Sequence, residues 1–445
     1  MSDRATLAVG IDIGTSGART AVVDASGDLV ADARAPLARE PVTDGPMAGD
    51  PRAVDAESWW RAVDAALAGA LDGLGPDRAA VRALAVDGTS GSVVLVDGNA
   101  RPLTPGLLYD AKGFDAEGEA IDAVAPPRSV ARGGGSALAR VLHLHALAPG
   151  AFRLCHQADL AVARLLGHAG LSDESNALKT GYDPAARVWP DWIAATGLPL
   201  ALLPEARPVG SVLGSVGTDA RTRFGLPADA VVVAGASDST AAFLGATGGS
   251  AAPGTAVTSL GTTVAVKIAS DAPVEDAGRG IYSHRVGDRW LPGGASNTGG
   301  GALLRHYGAD EIAALSERID PAWEPSFDAY PLPAPGERFP INDPAYPPRE
   351  GDDRPGERGS DADIRYLHAL LHGIARIERD GYRALAELGA PYPSRVLTSG
   401  GGARNGAWTA IRTRLLGVPV VAATADPALG MARLALRAVA GRAAA

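Results

Sequence analysis

Short apolar runs separated by glycine-rich turns open the chain. Residues 7–13 are almost wholly apolar, a second and more mixed run at 18–24 follows the turn Gly-Thr-Ser-Gly, and a third run lies at 28–33. Runs of this length bounded by Gly and Ser predict β-strands. Residues 57–74 then carry apolar side chains at helical spacing, and the strand pattern VRALAVDGT follows. The order predicts three antiparallel strands, a helix and a returning strand.

A similar beginning recurs near residue 254. The segment GTAVTSLGTTVAVKIAS again places strand, Gly-Thr-Thr turn and strand in succession, with another strand region at 280–296 and a long amphipathic helix at 361–388. The duplicated order predicts an α/β protein with two ribonuclease-H-like domains of the actin/hexokinase type, facing each other across a cleft. The predicted domains are 1–246 and 247–445, with a hinge near 244–255.

The length and composition of the chain agree with two folded domains. A chain of 445 residues is too long for one compact core. Its 46% hydrophobic and 21% charged residues exclude a disordered chain, and a net charge of −10 argues against a nucleic-acid-binding surface. The N-terminus lacks the apolar core of a signal peptide and no run of 18 apolar residues follows, which predicts a cytoplasmic protein without a membrane partner.

Three segments have simple structural interpretations. The single cysteine, Cys155, is expected to be a small buried residue, since one cysteine allows no intrachain disulfide and no thiolate metal cage. The segment His156–Asp159 is expected to pack or to cap a helix, although contact with a ligand is an alternative. Residues 325–360, rich in Pro, Gly and charge, predict a solvated and partly mobile surface loop.

The two Gly-hydroxyl turns are candidate phosphate sites. Backbone N–H groups of a tight Gly turn can converge on a phosphate, and Thr or Ser hydroxyls add donors. A plain hairpin turn is the alternative for either turn alone. Asp12 ends the strand before the first turn, and a carboxylate beside phosphates is unfavourable unless a cation such as Mg²⁺ lies between them. Its alternative role is to cap the turn.

Two later segments carry candidate chemistry. The apolar strand at 231–237 ends at Asp238, where a helix begins; a helix cap is the alternative there. Phosphoryl transfer to a hydroxyl needs one oriented carboxylate to accept the proton, and Asp238 is the candidate. The triple glycine Gly400–Gly402, followed by Asn405, would let a flat ring or a ribose lie against backbone, or would form a loop that Asn405 caps.

Five blocks in this order resemble the FGGY carbohydrate kinases over essentially the whole chain: IDIGTSG, GASDSTAAF, TSLGTTVAV, SNTGG and SGGGARNGAW. The resemblance implies an ATP-dependent sugar kinase with an N-terminal sugar-binding and catalytic domain and a C-terminal nucleotide-binding domain. It places Asp12 near Mg²⁺ and the phosphates and makes Asp238 the base that deprotonates the sugar. The implied ATP-binding residues are Gly14, Thr15, Ser16, Gly261, Thr262, Thr263, Gly401, Gly402 and Asn405.

One departure from the family pattern concerns the substrate. Typical bacterial xylulokinases have Gly-Gln-Met-His-Gly where this chain has DGTSG at 87–91, so a small hydroxyl replaces a bulky imidazole. This replacement argues against recognition of D-xylulose through that histidine. The DGTS version resembles a compact, xylulokinase-like branch associated with D-ribulose phosphorylation. It implies a D-ribulokinase, monomeric or homodimeric, whose sugar-binding residues are Asp12, Thr89, Ser90 and Asp238. The alternatives are another pentulose or pentitol kinase, an actin-type ATPase switch and a catalytically silent homologue.

Overall fold

The computed structural model describes residues 6–249, 252–351, 354–424 and 426–443. The chain divides into two compact units. The first comprises Met1–Gly249, His284–Gly287 and Asp426–Ala445, and the second comprises Ser250–Ser283 and Asp288–Ala425. The first division lies close to the predicted boundary after 246. The C-terminal segment differs from the prediction, because it packs with the first unit.

The strands of the described chain are β1 (Leu7–Ile13), β2 (Gly17–Val23), β3 (Leu29–Pro36), β4 (Ala53–Val54), β5 (Val81–Gly88), β6 (Val93–Val96), β7 (Gly106–Leu107), β8 (Arg153–His156), β9 (Leu171–Asp173), β10 (Glu205–Arg207), β11 (Val212–Ser215), β12 (Val231–Ser237), β13 (Thr255–Leu260), β14 (Val264–Ile268), β15 (Tyr282–Val286), β16 (Arg289–Ser296), β17 (Arg395–Ser399) and β18 (Val420–Ala422). The helices are α1 (Glu57–Leu74), α2 (Asp115–Asp122), α3 (Ala137–Leu147), α4 (Gln157–Leu166), α5 (Glu174–Ala177), α6 (Thr218–Phe224), α7 (Asp238–Ala246), α8 (Gly300–Leu303), α9 (Ala309–Ser316), α10 (Asp361–Glu387), α11 (Gly406–Leu416) and α12 (Pro427–Ala443).

The main sheet of the first unit has the strand order β11-β12-β5-β1-β2-β3. The pairs β1–β2 and β2–β3 are antiparallel, whereas β5 is parallel to both β1 and β12. Every residue of β1 is buried, as expected for a central strand covered on both faces. The predicted order of three antiparallel strands, a helix and a returning strand is confirmed.

Helix α12 explains why the C-terminal segment joins the first unit. A Cβ atom at Gly10 of β1 would overlap the backbone of Ala428, so the absence of a side chain at residue 10 lets the helix approach the strand closely. Met431 and Ala435 of α12 are buried in the same apolar cluster as Val233 of β12. Sequence order alone does not show this packing.

The first unit also contains a smaller sheet ordered β4-β7-β6-β8 and the parallel pair β9–β10. Cys155 of β8 is buried, as predicted. His156 is the N-cap residue of α4 and forms a capping box with Asp159. Its ring lies 2.6 Å from the Asp159 carboxylate and 2.9 Å from the Thr180 hydroxyl. The packed, capping interpretation of this segment is therefore confirmed.

The second unit repeats the same topology. Its sheet contains the order β16-β14-β13-β17-β18, in which β13–β14 and β14–β16 are antiparallel and β13–β17 and β17–β18 are parallel. Helix α10 buries one stripe of side chains that includes Leu367, Leu371 and Ile374. Both the duplication and the long helix agree with the sequence pattern.

The predicted solvated loop at 325–360 is partly wrong. Leu332 is fully buried, Phe339 is 1% exposed in the main core of the second unit, and Glu337 is 2% exposed. The segment forms few regular elements, so its apolar residues give no periodic signal. Isolated side chains nevertheless fix it to the core.

None of the helices in the described ranges combines the length and apolar character that spanning a membrane requires.

Candidate functional site

Two carboxyl side chains lie next to each other at the end of the first unit's sheet. Asp12 of β1 and Asp87 of β5 are register partners on adjacent parallel strands. Asp12 is 6% exposed and Asp87 is fully buried. After Asp12 the chain turns, with the Gly14 N–H donating to the Gly17 carbonyl at 3.0 Å. Ligands of open α/β sheets bind at the carboxyl ends of such strands, which makes this end a candidate site.

Burial and mutual repulsion disfavour charge on this pair. Burial is the main cause that raises the pKa of Asp12 to about 6. The charges of Asp238 and Asp426 raise it further, whereas the neighbouring Asp87 side chain and the charge of Arg19 lower it. The pKa of Asp87 is raised well above its ordinary value by burial and then by the charge of Asp12. Neither Asp87 oxygen has a donor among the described residues.

Asp238 lies at the same end of this sheet. Strand β12 is parallel to β5, with Ser237 opposite Gly88, and α7 begins at the next residue. The Asp238 carboxylate is partly exposed, raises the pKa of both Asp12 and Asp87, and accepts a hydrogen bond from the Ser239 N–H at 2.7 Å. The structure therefore brings together the two carboxylates singled out in the sequence. Asp87 was not singled out, although the DGTSG pattern contains it.

The DGTSG loop is held by side chains of two helices. The Thr89 N–H donates to the Gln157 side chain at 2.9 Å, and the Thr89 hydroxyl donates to the Ile13 carbonyl at 3.3 Å. Arg140 of α3 donates to the Gly91 carbonyl at 3.1 Å, and burial lowers its pKa to about 10. The hydroxyl of Ser90 is buried and has no partner among the described residues. Thr89 thus serves the loop itself, whereas the Ser90 hydroxyl takes no part in the loop's hydrogen bonds.

In the second unit, the Gly261-Thr262-Thr263 turn is supported by the SNTGG block. The N–H groups of Gly300 and Gly301 donate to the carbonyls of Gly261 and Thr262 at 2.8 and 2.9 Å. Gly299 has a φ of 146°, and a Cβ atom there would lie 2.7 Å from the Thr262 carbonyl oxygen. The three glycines therefore permit a backbone approach that fixes the turn while Thr262 and Thr263 remain exposed.

A cavity of about 960 Å³ opens beside this turn. Its volume lies within the range of small-molecule sites. Asn405 caps α11, as expected, by accepting a hydrogen bond from the Trp408 N–H at 2.9 Å. Its side chain also donates to the Ser316 hydroxyl at 2.8 Å, and both Asn405 and Ser316 line the cavity. The predicted nucleotide residues that line the cavity are Gly261, Thr262, Gly401, Gly402 and Asn405.

The two units differ at equivalent positions. Asp12 lies two residues before Gly14, and Ser259 lies two residues before Gly261, where it pairs with Ser399 across parallel strands. The first unit therefore has two carboxyl groups where the second has two hydroxyls. Carboxylates accept protons and bind cations, whereas hydroxyls and Gly-turn N–H groups suit a phosphate.

Comparison with known proteins assigns both halves to one family. Residues 7–122 match the N-terminal domain, and residues 256–439 the C-terminal domain, of the FGGY family of carbohydrate kinases. The xylulose kinase of Streptomyces rubiginosus is 30% identical over 449 residues, covering 96% of this chain and 86% of that protein. The xylulose kinase of Escherichia coli is 26% identical, covering 96% and 89%.

Solved structures agree on the fold. The xylulose kinase of Rhodospirillum rubrum matches with a TM-score of 0.81 at 24% identity, over 98% of this chain and 90% of that one. Glycerol kinase of Plasmodium falciparum matches with a TM-score of 0.77 at 14% identity, over 98% and 90%. The predicted two-domain fold is confirmed. The chain belongs to the FGGY family of carbohydrate kinases, which transfer a phosphoryl group from ATP to a sugar.

Proposed function

We propose that this kinase phosphorylates the terminal hydroxyl of a ketopentose, most specifically D-ribulose, to give D-ribulose 5-phosphate. The observation that carries the proposal is the set of carboxyl groups at the sheet end of the first unit, Asp12, Asp87 and Asp238. One of them, Asp238, is partly exposed at the start of a helix and can reach a bound sugar. We assign the sugar to this unit and the adenosine to the cavity of the second, and we place the reaction in the cytoplasm, where ATP is available.

In the proposed reaction Asp238 is the general base. Its carboxylate accepts the proton of the sugar hydroxyl as that oxygen attacks the γ-phosphorus, and the bond from the phosphorus to the departing ADP oxygen breaks. Ser90 orients the sugar through its hydroxyl. The turns at Gly14–Ser16 and Gly261–Thr263 bind the phosphates through backbone N–H groups and hydroxyls.

The cluster of carboxyl groups around Asp12 fits a magnesium ion. Asp12 is disfavoured as an anion by burial and by the neighbouring carboxylates, and the oxygens of Asp87 lack donors, so a cation would relieve both. No group of three or more His, Cys, Asp or Glu side chains in the described ranges could hold a metal ion unaided. Asp12 would therefore hold Mg²⁺ together with ATP phosphates. Bound Mg²⁺ neutralises charge that develops on the transferring phosphoryl group.

The choice of D-ribulose rests on the loop that carries Thr89 and Ser90. Small hydroxyl side chains occupy the positions where typical bacterial xylulokinases carry bulkier ones, and the loop is fixed from behind by Gln157 and Arg140. The second candidate is D-xylulose, since the curated relatives named above are xylulose kinases.

The experiment is coupled measurement of ADP release with Mg-ATP. D-ribulose, D-xylulose, L-ribulose, ribitol and glycerol are compared at several concentrations against a blank without sugar. A kcat/KM at least tenfold higher for D-ribulose than for the other sugars is expected. A higher value for D-xylulose would replace the proposed substrate, and ADP release independent of any sugar would contradict the proposal as a whole.

A further inference from the structure

Helix α5 lies against the turn that carries Asp238. Ser175 of this helix is fully buried, and its hydroxyl accepts a hydrogen bond from the Ser237 N–H at 3.2 Å. The same hydroxyl is 2.9 Å from the Ser237 hydroxyl, 3.1 Å from His284 Nδ1 and 3.3 Å from the Thr240 hydroxyl. One oxygen atom thus joins three segments of the first unit.

The neighbouring residue extends the contact along β12. The Asn176 side chain donates to the Ala236 carbonyl at 3.1 Å and to the Asp173 carboxylate at 2.8 Å. Asp173 in turn caps α5 by accepting from the N–H groups of Ser175 and Asn176. Helix α5 therefore fixes Ala236 and Ser237, the two residues that precede Asp238.

Ser237 occupies the N-cap position of α7 but makes no capping hydrogen bond. Serine is among the preferred N-cap residues, and a cap of this kind contributes typically about 1 kcal/mol. Here the hydroxyl bonds Ser175 and Thr240 instead. At Ser237, directly before the proposed base, the hydrogen bond to Ser175 therefore takes the place of the usual N-cap hydrogen bond.

We propose that Ser175 is a positioning residue for phosphoryl transfer, which sets the backbone at Ser237 and thereby the direction of the Asp238 carboxylate. The inference rests on the role proposed for Asp238. A general base must lie within hydrogen-bond reach of the proton that it accepts, and a misplacement of about 1 Å can cost roughly 100-fold in rate. The Ser175 contacts act on the base and not on the nucleotide cavity.

The test compares Ser175→Ala with Ser172→Ala. Ser172 is 1% exposed, lies in the adjoining strand β9 and bonds His156, so it is a matched loss of a buried hydroxyl away from the base. For Ser175→Ala we expect kcat to fall about tenfold or more while KM for ATP stays within about twofold. Ser172→Ala should keep kcat within about twofold. Equal kcat losses in the two variants would overturn the inference, because they would show a general effect of lost buried hydroxyls.

A second variant keeps the inference testable if Ser175→Ala folds poorly. Ser237→Ala removes the other hydroxyl of the same bond while Ser175 stays in place, and it should lower kcat about tenfold with KM for ATP within about twofold. Where both single variants fold, their losses in kcat should be less than additive in the double variant. Asp238→Asn is measured alongside. Full activity of Asp238→Asn would refute the proposed base, whereas an inactive Asp238→Asn with a fully active Ser175→Ala would refute only the role of Ser175.

Discussion

A buried ion pair in the second unit predicts a coupled loss of stability and ATP binding. Arg412 of α11 is fully buried and Glu378 of α10 is 1% exposed. Two hydrogen bonds of 2.6 and 2.7 Å join them. Arg412 also donates to the Thr398 hydroxyl at 2.8 Å, and the Thr258 hydroxyl donates to Glu378 at 2.5 Å. The pair therefore connects two helices to β13 and β17.

The perturbation is Arg412→Met, which keeps the apolar volume and removes the cation. Glu378 would then be a buried anion without its partner, and breaking such a pair costs about 3–5 kcal/mol. Adding Glu378→Gln removes the stranded charge while keeping a group that Thr258 can contact. We expect the double variant to recover about 2 kcal/mol of the free energy of unfolding lost by Arg412→Met, since only hydrogen bonds and packing remain lost.

The Arg412→Met substitution should also weaken the binding of ATP. Thr258 and Thr398 are register partners, and each lies three residues before a cavity glycine, Gly261 and Gly401. Loss of the pair frees both strand ends, so KM for ATP should rise several-fold in Arg412→Met while KM for the sugar stays nearly unchanged.

Urea denaturation gives the unfolding free energies, and steady-state kinetics gives the two KM values. An Arg412→Met variant within 1 kcal/mol of the wild type would contradict the reasoning about the buried charge. A double variant no more stable than the single one would contradict it equally.

Three further predictions address other residues. Burial is the main cause that raises the pKa of Glu174 from 4.5 to about 7, so the protein loses stability as the pH rises from 4.5 to 7. Glu174→Gln should recover up to about 3 kcal/mol of the free energy of unfolding at pH 8 and little at pH 4.5. Equal shifts in melting temperature at both pH values would refute this prediction. Gly299→Ala should raise KM for ATP, because its Cβ would displace the Thr262 carbonyl, and an unchanged KM would separate this contact from nucleotide binding. Asp12→Asn should raise the Mg²⁺ concentration needed for half-maximal activity. An unchanged Mg²⁺ requirement would contradict a role in metal binding and leave Asp12 with a structural role.

The sequence predicted the elements that have local signals. The local signals are the apolar runs around the two Gly-hydroxyl turns and the helical periodicity of α1 and α10, and the structure contains these elements close to the predicted bounds. The first turn also directed attention to Asp12, and the end of the strand at 231–237 directed attention to Asp238. Their proximity follows from the parallel strands β1 and β12, which lie on either side of β5 and end at the same edge of the sheet.

Features that depend on distant contacts were not predictable in this way. Asp87 reads locally as part of a turn, and its pairing with Asp12 depends on the register between β1 and β5. Helix α12 packs with β1 because Gly10 has no side chain, a relation between residues more than 400 positions apart. Glu337 is buried in a segment whose composition indicates a solvated loop, because it accepts hydrogen bonds from Ser296 and Tyr330.

The central claim is that Asp238 accepts the proton of the sugar hydroxyl. The measurement that tests it most directly is sugar-dependent ADP release by Asp238→Asn, with nucleotide and sugar affinities determined on the same preparation. Asparagine keeps the shape of the side chain and cannot act as the base at neutral pH. We predict a loss of kcat of at least 100-fold with nucleotide affinity nearly unchanged, as general-base catalysis contributes about 10²–10⁴-fold. A kcat within a few-fold of the wild type would contradict the assignment.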